Sequence, residues 1–373
     1  MNIALIVRKY QTSGGTERYN YNISKCLSEK GHKVTIFCNK AKLTPPNQNI
    51  KIIKLPNLPL NRQIKTFLFN YFVDKKINLN NFDIVQGCGK ILKQDIYRAG
   101  GGFHKLYLRA GNVNRFTKYD KMVMNIEQRI YNVENTKYVI AVSRFIANEI
   151  HNEFNYPMEK IKIFHNPVDL KTFNNKNKAK DKKYILEKLK IDFKNRIFLF
   201  VANNFKLKGL IPILEAFKTL KNYKILIVGN DNFKEIIENY NNNITDNTIF
   251  LHERKGNELI KIYHAADVLL HPTYFDPFAN VSLEAMASGI PVVTTKINGA
   301  SEILDNGIDG VVIEHADDIV SLRQVAEKLI TDKNFLKTLT DNSSKKILNY
   351  SIEKYIDRLT DFYKKVYKEK FNV

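Results

Sequence analysis

The sequence predicts an α/β protein made of two doubly wound, Rossmann-like halves. Short apolar runs with strand character alternate with segments of helical periodicity along most of the chain. The alternation restarts near residue 197, after a polar, lysine-rich stretch. The length of 373 residues suits two domains of roughly 100–200 residues each.

In the first half, residues 2–7 read as a buried parallel strand, and a turn at Ser13-Gly14-Gly15 follows. Tyr19, Ile23 and Leu27 then repeat at i, i+4 and i+8, which marks a helix over 16–30 that Gly31 stops. Residues 34–38 form the next strand, completing a β-loop-α-β unit. Further strands fall at 50–55, 84–86, 138–142 and 160–165, and Ser143 caps a helix over 144–153. Residues 174–183 read as an exposed linker or loop.

In the second half, strands are expected at 197–202, 224–228, 249–251, 268–271, 291–295 and 310–313. Helices are expected at 210–220, near 233–240, at 257–265 and at 281–288, with helical structure after the last strand. The domains are therefore placed at 1–168 and 169–350.

Composition narrows the classes. With 44% hydrophobic and 26% charged residues, wholesale disorder and collagen-like structure are excluded. Lys and Arg number 59 against 38 Asp and Glu, a formal net charge of +21. Such a surface attracts nucleic acid, acidic lipid or a phosphorylated substrate. Biased codon usage explains a chain rich in Lys, Asn and Ile equally well. Cys26, Cys38 and Cys88 are scattered without a C-x-x-C, so a reducing cytoplasm is expected rather than a disulfide framework or zinc site. The opening MNIALIV is too short for a signal-peptide core, and no apolar run approaches the ~20 residues of a spanning helix.

Three constellations suit chemistry. Gly14-Gly15 after the first strand lets backbone approach a ligand at a helix N-terminus, although a tight turn accounts for the pair too. It is neither G-x-G-x-x-G nor a P-loop. Lys206 and Lys208, in a loop after the first strand of the second half, suit a diphosphate or a solvated basic loop. The third is Asp276-Pro277-Phe278-Ala279-Asn280-Val281-Ser282-Leu283-Glu284, leading into Ala285-Met286-Ala287-Ser288-Gly289-Ile290-Pro291. A ligand at that helix start would meet Asp276, the amides of 278–281 and Glu284. Glu284 stands in an apolar run and is costly to bury without a partner.

The carboxylate-x7-Glu-Ala-Met-Ala-x-Gly-x-Pro string resembles the signature of retaining GT-B glycosyltransferases of family 4. Gly14-Gly15-x-Glu17, Gly31-His32-x-Val34, Val142-Ser143, Asn166-Pro167-Val168-Asp169, Lys208-Gly209 and Ala265-Ala266-Asp267-Val268 resemble its other landmarks in order. The similarity spans about residues 1–330. Within the family it is nearest to the enzymes that add sugars to a lipopolysaccharide core, notably the core glucosyltransferases.

The resemblance implies a GT-B fold with two domains facing a deep cleft. The first would bind acceptor, completed by a C-terminal helix over about 351–373; the second would bind a nucleotide-sugar donor, such as UDP-glucose. Glu284 would hold the ribose, Asp276 would face the donor sugar, and Phe278, Ala279, Asn280 and Val281 would offer amides. Lys208, aided by Lys206, would stabilise the diphosphate, and Gly15 would approach it. His104 would stand near the donor sugar, or be a loop histidine held by a backbone carbonyl. Asp276 replaces the usual Glu, and Lys206 stands where an Arg is common. No metal is expected, because cations and amides suffice for the leaving group.

Residues 104–133 hold six basic against two acidic residues, interleaved with Tyr107, Phe116, Tyr119 and Tyr131. That suits an anionic membrane face or a phosphorylated glycolipid, or an ordinary solvated insert. The expectation is a cytoplasmic enzyme on the inner face of the inner membrane, acting on lipopolysaccharide or a related glycolipid. One rival is a sugar-nucleotide epimerase of GT-B fold. Another is a basic nucleic-acid-binding protein, for which no helix-turn-helix, RNP or zinc-finger pattern appears; nucleic acid is therefore not an expected partner.

Overall fold

The computed structural model describes residues 1–373 except 13, 112, 114, 239 and 241. Ser13 of the first glycine turn therefore lies outside the described residues. The chain forms two compact units, residues 1–166 with 352–373, and residues 167–351.

The main sheet of the first unit comprises β1 (Asn2–Val7), β2 (Lys33–Cys38), β3 (Ile50–Lys54), β4 (Ile84–Cys88), β5 (Gln94–Ala99), β6 (Thr136–Ala141) and β7 (Ile161–Ile163). They lie in the order β3-β2-β1-β4-β5-β6-β7, all parallel. A parallel sheet covered on both faces selects strands that are apolar throughout, and residues 3–7 of β1 are all buried. Order reverses at β1, where β2 and β4 lie on either side.

The second unit holds β8 (Arg196–Val201), β9 (Tyr223–Val228), β10 (Thr248–Phe250), β11 (Val268–His271), β12 (Val292–Thr295) and β13 (Val311–Ile313). Their order is β10-β9-β8-β11-β12-β13, again all parallel. Here the reversal falls at β8. In doubly wound sheets, ligands bind outside the carboxyl ends of the strands at such a reversal.

Two departures from the sequence reading have clear causes. β5 (Gln94-Asp95-Ile96-Tyr97-Arg98-Ala99) was not expected, because half of its residues are polar or charged; all six are buried. Each polar side chain finds at least one partner inside the unit, as burial favours. Gln94 Nε2 donates to Thr136 Oγ1 at 2.7 Å. Asp95 accepts from the Val85 amide at 2.8 Å and from Lys370 Nζ at 2.9 Å. Arg98 Nη2 donates to Asn166 Oδ1 at 2.6 Å, and its guanidinium stacks 3.6 Å from the Tyr19 ring centroid.

The second departure is the expected linker at 174–183. A helix runs over Lys178–Lys188, and its buried Ile185 and Leu186 anchor it. Asp181 bonds the buried His264 at 2.7 Å and Lys182 pairs with Asp267 at 2.5 Å. Its lysines hid these ties because only folding reveals their acidic partners.

The last helix, Ile352–Phe371, belongs to the first unit. Tyr355, Ile356, Leu359, Tyr363 and Val366 repeat at helical spacing and enter the core beneath β1 and β4. Tyr19 and Tyr355 hydroxyls meet at 2.8 Å, and Tyr363 donates to Gln86 Oε1 at 2.7 Å. Leu359 is fully buried, so Leu359→Ala is expected to lower stability by about 2–5 kcal/mol. Urea unfolding measures this, with the exposed Lys365→Ala as a control expected to change little.

Candidate active site

In the second unit, the loops after β8, β11 and β12 converge at the carboxyl edge of three neighbouring strands. The loop after β8 carries Lys208. Gly209 follows with φ +85°, and a Cβ there would collide with the Pro272 carbonyl. Glycine thus lets this loop lie against the loop after β11.

Lys208 Nζ donates to Asp276 Oδ2 at 2.7 Å and to the Phe275 carbonyl at 2.8 Å. The two groups singled out from separate stretches of sequence therefore form an ion pair across the β8/β11 reversal. Burial opposes the Asp276 charge. The Lys208 ammonium and the His271 hydrogen bond outweigh burial and hold the carboxyl down at about 2. Asp276 is consequently an anion at neutral pH and not a proton donor.

His271, the last residue of β11, was not foreseen. It is 2% exposed, and its Nε2 lies 3.3 Å from Asp276 Oδ2. Burial lowers its pKa, so the ring is neutral and donates through Nε2. Its Nδ1 is buried without a hydrogen-bond partner among the described residues. An apolar strand ending in His-Pro was the only available signal.

The helix after Asp276 spans Asn280–Ala287 with Ala279 at its N-cap. Two of the four expected amides are already engaged. The Phe278 amide donates to Asp276 Oδ1 and the Ala279 amide to Asn298 Oδ1, both at 3.1 Å. Asn298 also accepts from the Ala300 amide at 3.0 Å and donates to Thr294 Oγ1 at 2.9 Å. It braces the helix start from the loop after β12, a role invisible in the sequence.

Glu284 is 6% exposed, and the Tyr263 hydroxyl donates to its Oε2 at 2.9 Å. The costly burial foreseen for this carboxylate thus has a partner in the helix Gly256–Ala265. Lys206 is exposed, on the same loop as Lys208.

In the first unit, Gly15 opens the helix Gly15–Glu29 after Gly14 at φ 96°. His104 opens the helix His104–Ala110. Its Nε2 bonds Asp120 Oδ1 at 2.6 Å, a carboxylate where a backbone carbonyl had been the alternative. Its amide donates to both oxygens of Glu127, at 3.0 and 2.9 Å. The Thr117 hydroxyl, His104 and the Thr117 amide hold Asp120 down at about 2. His104 lies in the first unit and the Lys208–Asp276 pair in the second.

No group of three or more His, Cys, Asp or Glu able to hold a metal occurs among the described residues. Nor is any of their helices long and apolar enough to cross a membrane.

Residues 13–172 match Glycosyltransferase Family 4, and residues 181–346 match Glycosyl transferases group 1. An uncharacterized glycosyltransferase of Methanocaldococcus jannaschii, MJ1607, is 26% identical over 61% of this chain and 59% of its own length. The lipopolysaccharide glucosyltransferase WaaG of Escherichia coli K12 is 22% identical over 92% of this chain and 93% of its own. A crystal structure of WaaG superposes with a TM-score of 0.78 at 20% identity, covering 96% of this chain and 99% of that one. Anabaena HepE in complex with UDP and glucose gives 0.73 at 16% identity, covering 97% and 99%. At these identities the structures establish the fold. The two glycosyltransferase family matches fall one in each half, the fold is that of the GT-B glycosyltransferases, and the chain resembles the lipopolysaccharide core glucosyltransferases.

Glu127 yields a pH prediction. Burial raises its pKa from 4.5 to about 7, against the pull of Lys90 and the His104 amide. Between those values the folded state keeps a proton that the unfolded chain has released. Stability therefore falls as pH rises from 4.5 through about 7, by at most about 1.4 kcal/mol per pH unit for one proton. Glu127→Gln is expected to flatten that part of the profile, read by denaturant unfolding at pH 5 to 8. An unchanged slope would refute the assignment.

Proposed function

We propose that the protein is a retaining hexosyltransferase that takes glucose from UDP-glucose. Its acceptor is a hydroxyl of the lipopolysaccharide core or a related envelope glycan, reached at the cytoplasmic face of the inner membrane. The observation that carries the reading is the Lys208–Asp276 pair across the second unit's reversal point, followed by buried Glu284 in the next helix. Similarity to WaaG along nearly the whole chain supports the choice of sugar and acceptor.

The roles follow from charge. Glu284 accepts from the ribose hydroxyls. The amides at the start of the helix Asn280–Ala287 face the sugar and diphosphate. Breaking the bond from sugar C1 to the β-phosphate oxygen leaves negative charge on the diphosphate. Lys208, with Lys206, stabilises that charge as it grows, and the cation needed for a metal-free reaction is thereby present. The anionic Asp276 holds Lys208 in place and faces the positive charge developing on the sugar. The acceptor oxygen bonds to C1 on the face the diphosphate leaves, and its proton passes to the leaving phosphate oxygen. His104 stands at the acceptor side, and the basic, aromatic 104–133 segment meets the membrane.

The test is thermal stability with UDP-, GDP-, ADP- and CMP-linked sugars. A rise with UDP-glucose that Glu284→Ala abolishes is expected. A rise with none of them would sink the reading. In turnover assays, Lys208→Met is expected to lower kcat by about 10²–10³-fold, and activity is expected to survive EDTA. An acceptor-independent change of the donor sugar would point to epimerase chemistry instead.

A further inference from the structure

Three cations gather at the carboxyl edge of the first unit's sheet. Arg8 directly follows β1, and Lys90 stands two residues beyond β4, so they flank the reversal point of that sheet. Arg62 opens the helix Arg62–Lys76, with its guanidinium 4.2 Å from the Tyr119 ring centroid. Arg62 lies close enough to Arg8 and Lys90 to disfavour their charge. Burial lowers the Lys90 pKa, and Arg62 and Arg8 lower it further. Burial, with Arg62, does the same to Arg8.

The carboxylates nearby do not balance them. Asp120 is taken by His104 Nε2 and by the Thr117 amide and hydroxyl. Glu127 receives the His104 amide on both oxygens, with Lys90 Nζ 3.8 Å away. Among the described residues neither Arg8 nor Arg62 has an ion-pair partner. The Arg8 guanidinium lies 5.3 Å from the Phe69 ring centroid, and its Nη2 is buried with no hydrogen-bond partner among the described residues. A buried donor on a cation is costly to leave unmade. The neighbouring Arg62 charge raises that cost, and a bound anion removes it.

We propose that Arg8, Arg62 and Lys90 bind a phosphomonoester carried by the acceptor sugar. This rests on the reading that the first unit receives the acceptor. Two guanidinium forks and an ammonium from three chain segments suit a dianion with three free oxygens better than a carboxylate with two. The half-buried Arg8 and Lys90, whose side chain is 24% exposed, sit beside strand ends. A sugar phosphate entering at that edge reaches them. The acceptor is accordingly the product of a phosphorylating reaction on the glycan, which must precede this transfer.

The test uses the full chain and glucose 6-phosphate as probe, with glucose, glucuronate and matched sodium chloride as controls. Isothermal titration is expected to give saturable binding of glucose 6-phosphate only. Arg8→Met and Arg62→Gln are each expected to weaken it by at least ~10-fold, with binding of UDP-glucose unchanged. Arg62 is exposed, so its variant keeps the test valid if Arg8→Met disturbs folding. Lys208→Met is expected to leave glucose 6-phosphate binding intact. No saturable binding, or equal binding by both arginine variants, overturns the proposal. So does loss of UDP-glucose binding in Arg62→Gln, which would assign these cations to the donor. Glucose 6-phosphate failing while Arg62→Gln loses binding to phosphatidylglycerol vesicles would assign them to lipid. If UDP-glucose fails to bind while glucose 6-phosphate binds through Arg62, the donor reading fails and the anion site stands.

Discussion

Parallel pairing of every strand in both sheets is the constraint on which the rest of the molecule depends. A parallel ladder cannot be closed by a hairpin, so each return must cross over, usually through a helix. The helices bury both faces of each sheet, and the faces are therefore largely apolar, with β5 the exception. Polar function is pushed to the strand ends, where loops leave the sheet. Where strand order reverses, two neighbouring loops diverge and backbone and side chains face an open crevice. In the second unit that crevice holds Lys208 and Asp276, and in the first it holds Arg8, Lys90 and the glycine turn.

The two crevices treat charge differently. In the second unit, Lys208 and Asp276 neutralise each other, and the neutral His271 backs the carboxylate without adding charge. Such a pair is held in place until a ligand of both signs competes for it. In the first unit, positive charge exceeds negative, and the nearest carboxylates are committed to His104 and Thr117. The net charge of +21 is therefore partly a local feature. Much of it is ordinary exposed lysine, but the Arg8, Arg62 and Lys90 cluster sits where the fold places ligands.

Much of the architecture was legible because strands buried on both faces must be apolar. β1, β8 and β11 carry that requirement openly in their sequences. β5 did not, because Gln94, Asp95 and Arg98 make it look like a loop. Their partners, Thr136, Lys370 and Asn166, come from distant positions. The lysine-rich helix over Lys178–Lys188 was missed for the same reason, since its partners Asp267 and His264 follow about 80 residues later. Of the candidate site, Lys208, Asp276 and Glu284 were visible through local motif spacing. His271, Asn298 and Tyr263 were not, since each matters only through the residue it touches.

The sequence by itself determined the two α/β halves, the glycines that let loops turn, and the residues able to carry phosphate and sugar chemistry. Those properties are local, residing in periodicity, side-chain type and spacing along a few turns. Only the tertiary structure decided which charges meet. It paired Lys208 with Asp276, gave Glu284 its tyrosine, and left the Arg8 guanidinium without a carboxylate among the described residues. Electrostatic energy depends on distance through space and on burial, and neither is written in the order of residues along the chain.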